Sequence, residues 1–503
     1  MILLSGETLT LGQVVQVARG NAKVSVHPGA RDRMQESRRH VEEALAAEKA
    51  VYALNTGVGL LANVRLEADA IEQMQLNLVR SHCCGVGEPL PAETVRAMML
   101  IRANTLAKGL SGIRPQVADQ ICAFLNHGIT PVVPSRGSVG ASGDLAPLAH
   151  MALALIGEGE ALYKGECLPA AECLWRADLQ PLTLQAKEGI SLLNGTQAML
   201  ALGCLLLHDL RSAFEAAQIA AAFTLYALRG TPAAYDERLH AARPHPGQVH
   251  SAAHMRTLLA GAAGQRSSPR VQDAYCLRCV PQVHGAVWDA VLEAERVFTI
   301  ELNSATDNPL LFDHEFVSGG NFHGAPLALT LDTLSIAVCQ LAGISERRSE
   351  RLMNPALNEG LPAFLATRPG VESGLMMAQV TAAALVAEMR VLATPASAAS
   401  IPTSGNQEDF VSMGMTSALK LMQSLAHCRT VIAIEWLAAV RALDLRHDQT
   451  ISPLLDAARS AFRAHCGAWE GDCILSLRIA DAARFLTSAN WAEIFSATEV
   501  MPS

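Results

Sequence analysis

Ser142 sits between Ala141 and Gly143 in a segment crowded by Pro131, Pro134, Gly137, Gly140 and Gly143. A loop that dense in special backbone residues often carries function. The bare Ala-Ser-Gly triplet, however, also reads as an ordinary turn before a helix starting near Asp144. Other spacings are equally two-sided. Gly57-Val58-Gly59 is a GxG pair, but no Lys follows it to reach a phosphate. Asn194-Gly195 is a turn signal. Gln407-Glu408-Asp409 reads as a solvated acidic turn, and an isolated Arg278 as a solvated charge. His82, Cys83 and Cys84 are consecutive and point apart on a helix, which argues against a shared metal. Cys276 and Cys279 form a lone CxxC with no second pair at zinc spacing, so no metal is expected.

Context changes the reading of the triplet. Gly137-Ser138-Val139-Gly140-Ala141-Ser142-Gly143-Asp144-Leu145-Ala146-Pro147-Leu148-Ala149-His150 resembles the signature of the histidine and phenylalanine ammonia-lyase family. The resemblance implies that Ala141, Ser142 and Gly143 cyclise to a 4-methylidene-imidazol-5-one, with no external cofactor. The backbone nitrogen of Gly143 would attack the carbonyl carbon of Ala141, and glycine has no Cβ to block that approach. Ring closure would expel the Ala141 carbonyl oxygen as one water, and Ser142 would then lose its hydroxyl as a second, leaving an exocyclic methylidene. Gly137 and Gly140 would help the loop reach the strained geometry. Common side chains offer no strong carbon electrophile, so enzymes usually import one. Here the backbone would supply it, making the substrate amine a better leaving group while a base removes a β-proton. That proton is barely acidic, so transition-state stabilisation must carry most of the rate.

Further segments with the same resemblance are spread over most of the chain. Tyr52-Ala53-Leu54-Asn55-Thr56-Gly57-Val58-Gly59 is similar to the family's mobile inner loop and makes Tyr52 a candidate base. A phenol serves as a base only if cations or dipoles lower its pKa from about 10. Gln272-Asp273-Ala274-Tyr275-Cys276-Leu277-Arg278-Cys279 implies carboxylate binding by Arg278, a task suited to a bidentate guanidinium. Tyr275 and Gln272 would surround the reacting amine, and which tyrosine is the base stays open. Ser191-Leu192-Leu193-Asn194-Gly195-Thr196-Gln197 implies a hydrogen bond from Asn194 near the electrophile. Gly319-Gly320-Asn321-Phe322-His323-Gly324 offers Phe322 as a wall beside it. Leu78-Val79-Arg80-Ser81-His82-Cys83-Cys84-Gly85-Val86-Gly87 resembles the histidine-specific version, in which His82 would hydrogen-bond an imidazole nitrogen. Gln407 and Glu408 match the histidine-type pair, where a carboxylate holds partial positive charge on the imidazole. The implied reaction removes the α-amine and a β-proton from L-histidine to give trans-urocanate.

Several positions depart from the family's histidine-type pattern. Ala53 stands for Gly, Val58 for Phe, Ala274 for Pro, Phe410 for His and Ala325 for Glu; Val280, His284 and Met389 are also unusual. None removes a group needed for elimination, but together they point to a reshaped pocket. A betaine such as ergothioneine, losing trimethylamine, is therefore an alternative substrate. The same residues are also compatible with an aromatic 2,3-aminomutase or with a non-catalytic structural paralogue.

The elements that must position these residues follow from composition. Of 503 residues, 50% are hydrophobic and only 17% charged, which implies a large core with extensive subunit contacts. Abundant Ala and Leu favour helix. Val287, Val291, Ala294 and Phe298 share one helix face, as do Leu327, Leu331, Leu334, Val338 and Leu341. The second stripe follows Pro326 and runs to Arg347, Arg348 and Arg351, charges that suit a helix C-terminus. From 417 to 443 the pattern is apolar on nearly every side, as in a helix buried in a bundle. The expected fold is all-α, a large helical bundle with a smaller mixed N-terminal portion. Residues 1–195 would carry the inner loop and electrophile loop, and 196–503 the long helices. A net charge of −9 without a basic run excludes a nucleic-acid footprint. The start lacks a basic region, and apolar stretches such as 146–157 stop short of a membrane span. Twelve scattered cysteines read as reduced, mostly buried thiols, so a cytoplasmic enzyme is expected. The family resemblance further implies a small amino-acid substrate and a homotetramer whose subunits share active sites.

Overall fold

The computed structural model describes residues 1–47, 51, 54–57, 59, 63–67, 70–261, 270–446, 450–469 and 471–496. Tyr52, Ala53 and Val58 lie outside the described residues. Among the described residues there are nineteen α-helices and nine short strands, so the expected helical fold with a small mixed portion holds.

The chain forms two compact units that interleave along the sequence. One comprises 1–208, 294–332 and 395–419; the other comprises 209–293, 333–394 and 420–503. The expected boundary near 195 falls inside the first unit. The helices Gln197–Ala227, Val280–Leu302, Ala325–Met353 and Gly414–Asp444 each contribute residues to both.

All nine strands belong to the first unit. Ile2–Leu4 pairs in parallel with Val24–Val26, and Val86–Pro89 pairs antiparallel with Pro134–Arg136 at the head of the 137–143 loop. Thr130–Pro131, Glu160–Tyr163 and Glu166–Pro169 make a small antiparallel sheet. Leu310–Phe312 and Glu315–Val317 form a hairpin. The helix Ala92–Ala107 is buried from Thr94 to Ala107, and so brings the cation Arg102 into the core. Pro115 opens the next helix and Gly128, in the left-handed region at φ 74°, ends it.

The second unit is a bundle around a buried polar network. Arg348 and Glu435 are fully buried and paired at 2.6 and 2.8 Å, and Thr224 and Ser345 donate to the same carboxylate. The unusual His284 completes this network. Its Nδ1 lies 3.0 Å from Gln218 Oε1 and its Nε2 lies 3.4 Å from Arg348 Nη1. Complete burial and the neighbouring guanidinium hold its pKa well below the ordinary value. The imidazole is neutral, donating from Nδ1 and accepting at Nε2.

The apolar stripes read from the sequence are buried throughout: Val287, Val291, Ala294, Phe298, Leu327, Leu331, Leu334, Val338 and Leu341. One expectation needs correction. The helix Ala325–Met353 is long and apolar enough to cross a membrane by length and composition. Asp332 and Gln340 interrupt the run and disguise its length in the sequence. Of its most apolar window, 61% is buried within the protein, as in a core helix. All twelve cysteines are free thiols, and burial pushes Cys122 and Cys428 up to about 12.

Candidate active site

The loop between the strand Pro134–Arg136 and the helix Leu145–Leu155 turns through a series of left-handed residues. Gly140, Ser142 and Gly143 have φ of 78°, 51° and 78°. Serine rarely adopts such a conformation, so the surroundings must enforce it. They do so from three sides. Met413 N–H donates to Val139 O at 2.8 Å, and a Cβ added at Gly140 would collide with Ser412 Oγ. Asp144 N–H donates to Gly195 O at 2.7 Å, and a Cβ at Gly143 would collide with that same carbonyl. Asn194 Nδ2 donates to Ser142 O at 2.9 Å, while its Oδ1 is buried without a hydrogen-bond partner.

The turn carrying Asn194 is in turn fixed by Arg102. Its guanidinium donates to Asn194 O at 2.8 Å, to Gln197 Oε1 at 3.1 Å and to Ser191 O. Desolvation lowers Arg102 to about 10, which leaves it cationic at neutral pH. Asp144 ties the loop to the next long helix. It is fully buried, accepts from Met199 N–H at 2.9 Å and from Ser138 Oγ at 3.0 Å, and so caps the start of Gln197–Ala227. Burial raises its carboxyl to about 6 against the opposing effect of these donors.

A cavity of about 600 Å³ opens over the loop, within the first unit, and is lined by Ala141, Ser142, His82, Asn194, Phe322, Gln407 and Glu408. Its volume suits a small molecule. Glu408 Oε1 accepts from Ser142 Oγ at 3.0 Å, and Oε2 accepts from Thr403 Oγ1 at 2.9 Å. His82 Nδ1 lies 2.8 Å from Leu78 O, and since a carbonyl can only accept, Nδ1 carries the proton. In the neutral ring Nε2 is then the acceptor.

Sequence reasoning did not assign roles to several residues at the site. Asn308, Ser318, His323 and Ser404 line the cavity. His323 Nε2 donates to Phe410 O at 3.1 Å, and the two rings stack with centroids 6.1 Å apart. Phe410 thus puts an aromatic face on the cavity where histidine was expected. Asp144 and His323 stood inside the quoted motifs, but Met199 and Phe410, the partners that place them, lie 55 and 87 positions away. Gln272, Tyr275 and Arg278 are elsewhere, in the second unit, and are not among the residues lining this cavity. There Arg278 sits over the Tyr275 ring at 4.7 Å, and Tyr275 is 71% exposed.

Residues 9–464 match the family model for aromatic amino acid lyases. The chain belongs to the aromatic amino acid lyase family. This lyase is 51% identical over 506 residues to a histidine ammonia-lyase of Koribacter versatilis, covering 97% of this chain and 98% of the relative. Among solved structures, tyrosine aminomutase from Streptomyces globisporus is 37% identical with a TM-score of 0.95, covering all of both chains. Histidine ammonia-lyase from Trypanosoma cruzi is 38% identical with a TM-score of 0.92, covering 99% of this lyase and 95% of that chain.

Proposed function

We propose that this lyase eliminates ammonia from L-histidine to give trans-urocanate, using an electrophile made from its own Ala141, Ser142 and Gly143. The observation that carries the reading is the left-handed turn at Ser142 and Gly143, held between Asn194 and Gly195 at a cavity that also presents His82 and Glu408.

The residues suit a methylidene-imidazolone. Position 143 accepts only glycine, and the buried Oδ1 of Asn194 is an orphan acceptor beside the loop. When formed, the group supplies a carbon electrophile for the amine-bearing substrate. Asn194 Nδ2 would donate to the oxygen of residue 142, where negative charge accumulates, as an oxyanion-hole donor does. His82 would accept the imidazole N–H of the substrate at Nε2, its tautomer fixed by Leu78. Glu408 would face the other side of the imidazole and favour its partial positive charge, with Thr403 orienting the carboxylate and Gln407 beside it. Phe322 would pack against the substrate.

We assign carboxylate binding to Arg278, with Tyr275 and Gln272 near the amine and Tyr52 or Tyr275 as the base. The family resemblance implies a homotetramer in which subunits share sites, and in this reading that assembly completes the pocket. The scatter of twelve cysteines, with no disulfide framework in their spacing, supports a reducing, cytoplasmic setting.

The test is product identity. Purified protein is incubated separately with histidine, ergothioneine, phenylalanine and tyrosine, and the released amine and acid are identified. Urocanate and ammonia from histidine, with little turnover of the others, is the expected result. Trimethylamine from ergothioneine at a higher kcat/KM, or a β-amino acid from tyrosine, would overturn the substrate assignment.

A further inference from the structure

Away from the cavity, the helix Pro28–Ala46 and the hairpin Leu310–Phe312/Glu315–Val317 bring together two histidines and a glutamate. His40 and Glu43 lie three residues apart on one helical face, and His40 Nδ1 is 3.2 Å from Glu43 Oε2. His314, at the hairpin tip, places Nδ1 4.0 Å from the same oxygen. The two imidazole rings meet edge-on at 4.0 Å. One ligand atom from each residue lies within 4.8 Å of the others.

The surroundings are those of a prepared ligand. His40 is 7% exposed, and its second nitrogen, Nε2, lies 3.2 Å from Glu36 Oε1. Metal-bound histidines generally donate the remaining N–H to a carboxylate, which fixes the tautomer and raises ligand basicity. With Nε2 protonated toward Glu36, Nδ1 presents a lone pair to the Glu43 carboxylate. That arrangement is complete only with a proton or a metal ion between them. Arg39, which pairs with both Glu36 and Glu43, offsets the excess negative charge.

We propose that His40, Glu43 and His314 bind one divalent ion of the zinc class, with water as the fourth ligand. Two imidazoles and one carboxylate are a donor set suited to zinc, cobalt or nickel rather than magnesium or calcium. A tetrahedral ion with bonds of about 2.0–2.2 Å spaces its ligands about 3.3 Å apart. The His40–Glu43 separation of 3.2 Å already meets this, and His314, on an exposed side chain with Nδ1 4.0 Å from the same carboxylate, would have to draw closer on binding.

The ion would staple the hairpin to the helix. The hairpin is anchored at its other end by Leu311 N–H on Leu110 O at 2.8 Å, and Leu311 and Phe316 pack with Val41. Its flanking residues Asn308, Ser318 and Gly319 line the active-site cavity, and Gly319 N–H donates to Asn308 Oδ1 at 2.7 Å. Zinc at the tip therefore stiffens one wall of that cavity without touching it.

The experiment uses untagged, chelator-stripped protein titrated with zinc chloride by calorimetry, with cobalt absorption as a second probe. Wild type is expected to bind one equivalent per chain that His314→Ala binds at least tenfold more weakly. Glu36→Gln should lie between them. Hydrogen exchange of amides 310–317 should slow on adding zinc to wild type but not to His314→Ala. His314→Ala should keep its helix content and its turnover in metal-free buffer. Equal zinc binding by wild type and His314→Ala, or none by wild type at micromolar zinc, would overturn the proposal.

Discussion

Asn194→Ala separates stabilisation of the reaction from stabilisation of the fold. The substitution removes the Nδ2 donor that lies 2.9 Å from Ser142 O. It leaves the backbone carbonyl of residue 194 on Arg102, so the turn keeps its anchor. Losing the amide hydrogen bond costs about 1 kcal/mol of stability. Removing Oδ1, buried with no partner, relieves a penalty of about 1–3 kcal/mol. The two nearly cancel, and the melting temperature should move little. The donor's effect on rate is larger, because it acts where charge develops: about 3–4 kcal/mol, or 10²–10³ in kcat. The assay is near-ultraviolet absorbance of urocanate at saturating histidine, with scanning calorimetry and intact mass on the same preparation. A variant with wild-type mass that keeps full kcat would refute the role of Asn194. So would one whose rate loss is matched by an equal loss of stability.

Three other outcomes follow from the same geometry. Gly143→Ala places a Cβ against Gly195 O in a left-handed residue, so the protein should be inactive and retain the mass of the unmodified chain; turnover within tenfold of wild type would count against the loop geometry. His82→Leu removes the imidazole acceptor and should cut kcat/KM for histidine by about 10–100-fold, or 1–3 kcal/mol, while phenylalanine turnover is unchanged or rises; unchanged selectivity would remove His82 from recognition. Asp144, raised by burial to about 6, should give the rate an acid limb near that pH as its hold on Met199 N–H weakens. Because its folded pKa lies above the ordinary value of 3.8, the native state takes up the proton first, and this group's contribution to stability rises as pH falls from about 6 to 4. Rate should therefore decline before melting temperature does, and Asp144→Asn should lack the limb; a limb that persists in that variant would assign it elsewhere.

Local pattern made much of the molecule legible. The stripes at Val287–Phe298 and Leu327–Leu341 report a period of 3.6, and every member is buried. The unusual backbone of the 137–143 loop was legible because its glycines fall at the positions of positive φ, Gly137, Gly140 and Gly143. What the sequence withheld depends on contacts between distant residues. Ser142 meets Glu408 across 266 positions, and Asp144 caps a helix through Met199. His284, unusual as a sequence letter, is explained only by Gln218 and Arg348. The division into units was likewise hidden, since four long helices contribute to both and leave no linker to read.

The intact mass of the denatured wild-type protein bears most directly on the whole account. A chain lighter than its sequence by two waters, with the loss mapped to the peptide containing 141–143, is the expected result. An enzyme that turns over histidine at the full mass of its sequence would contradict it.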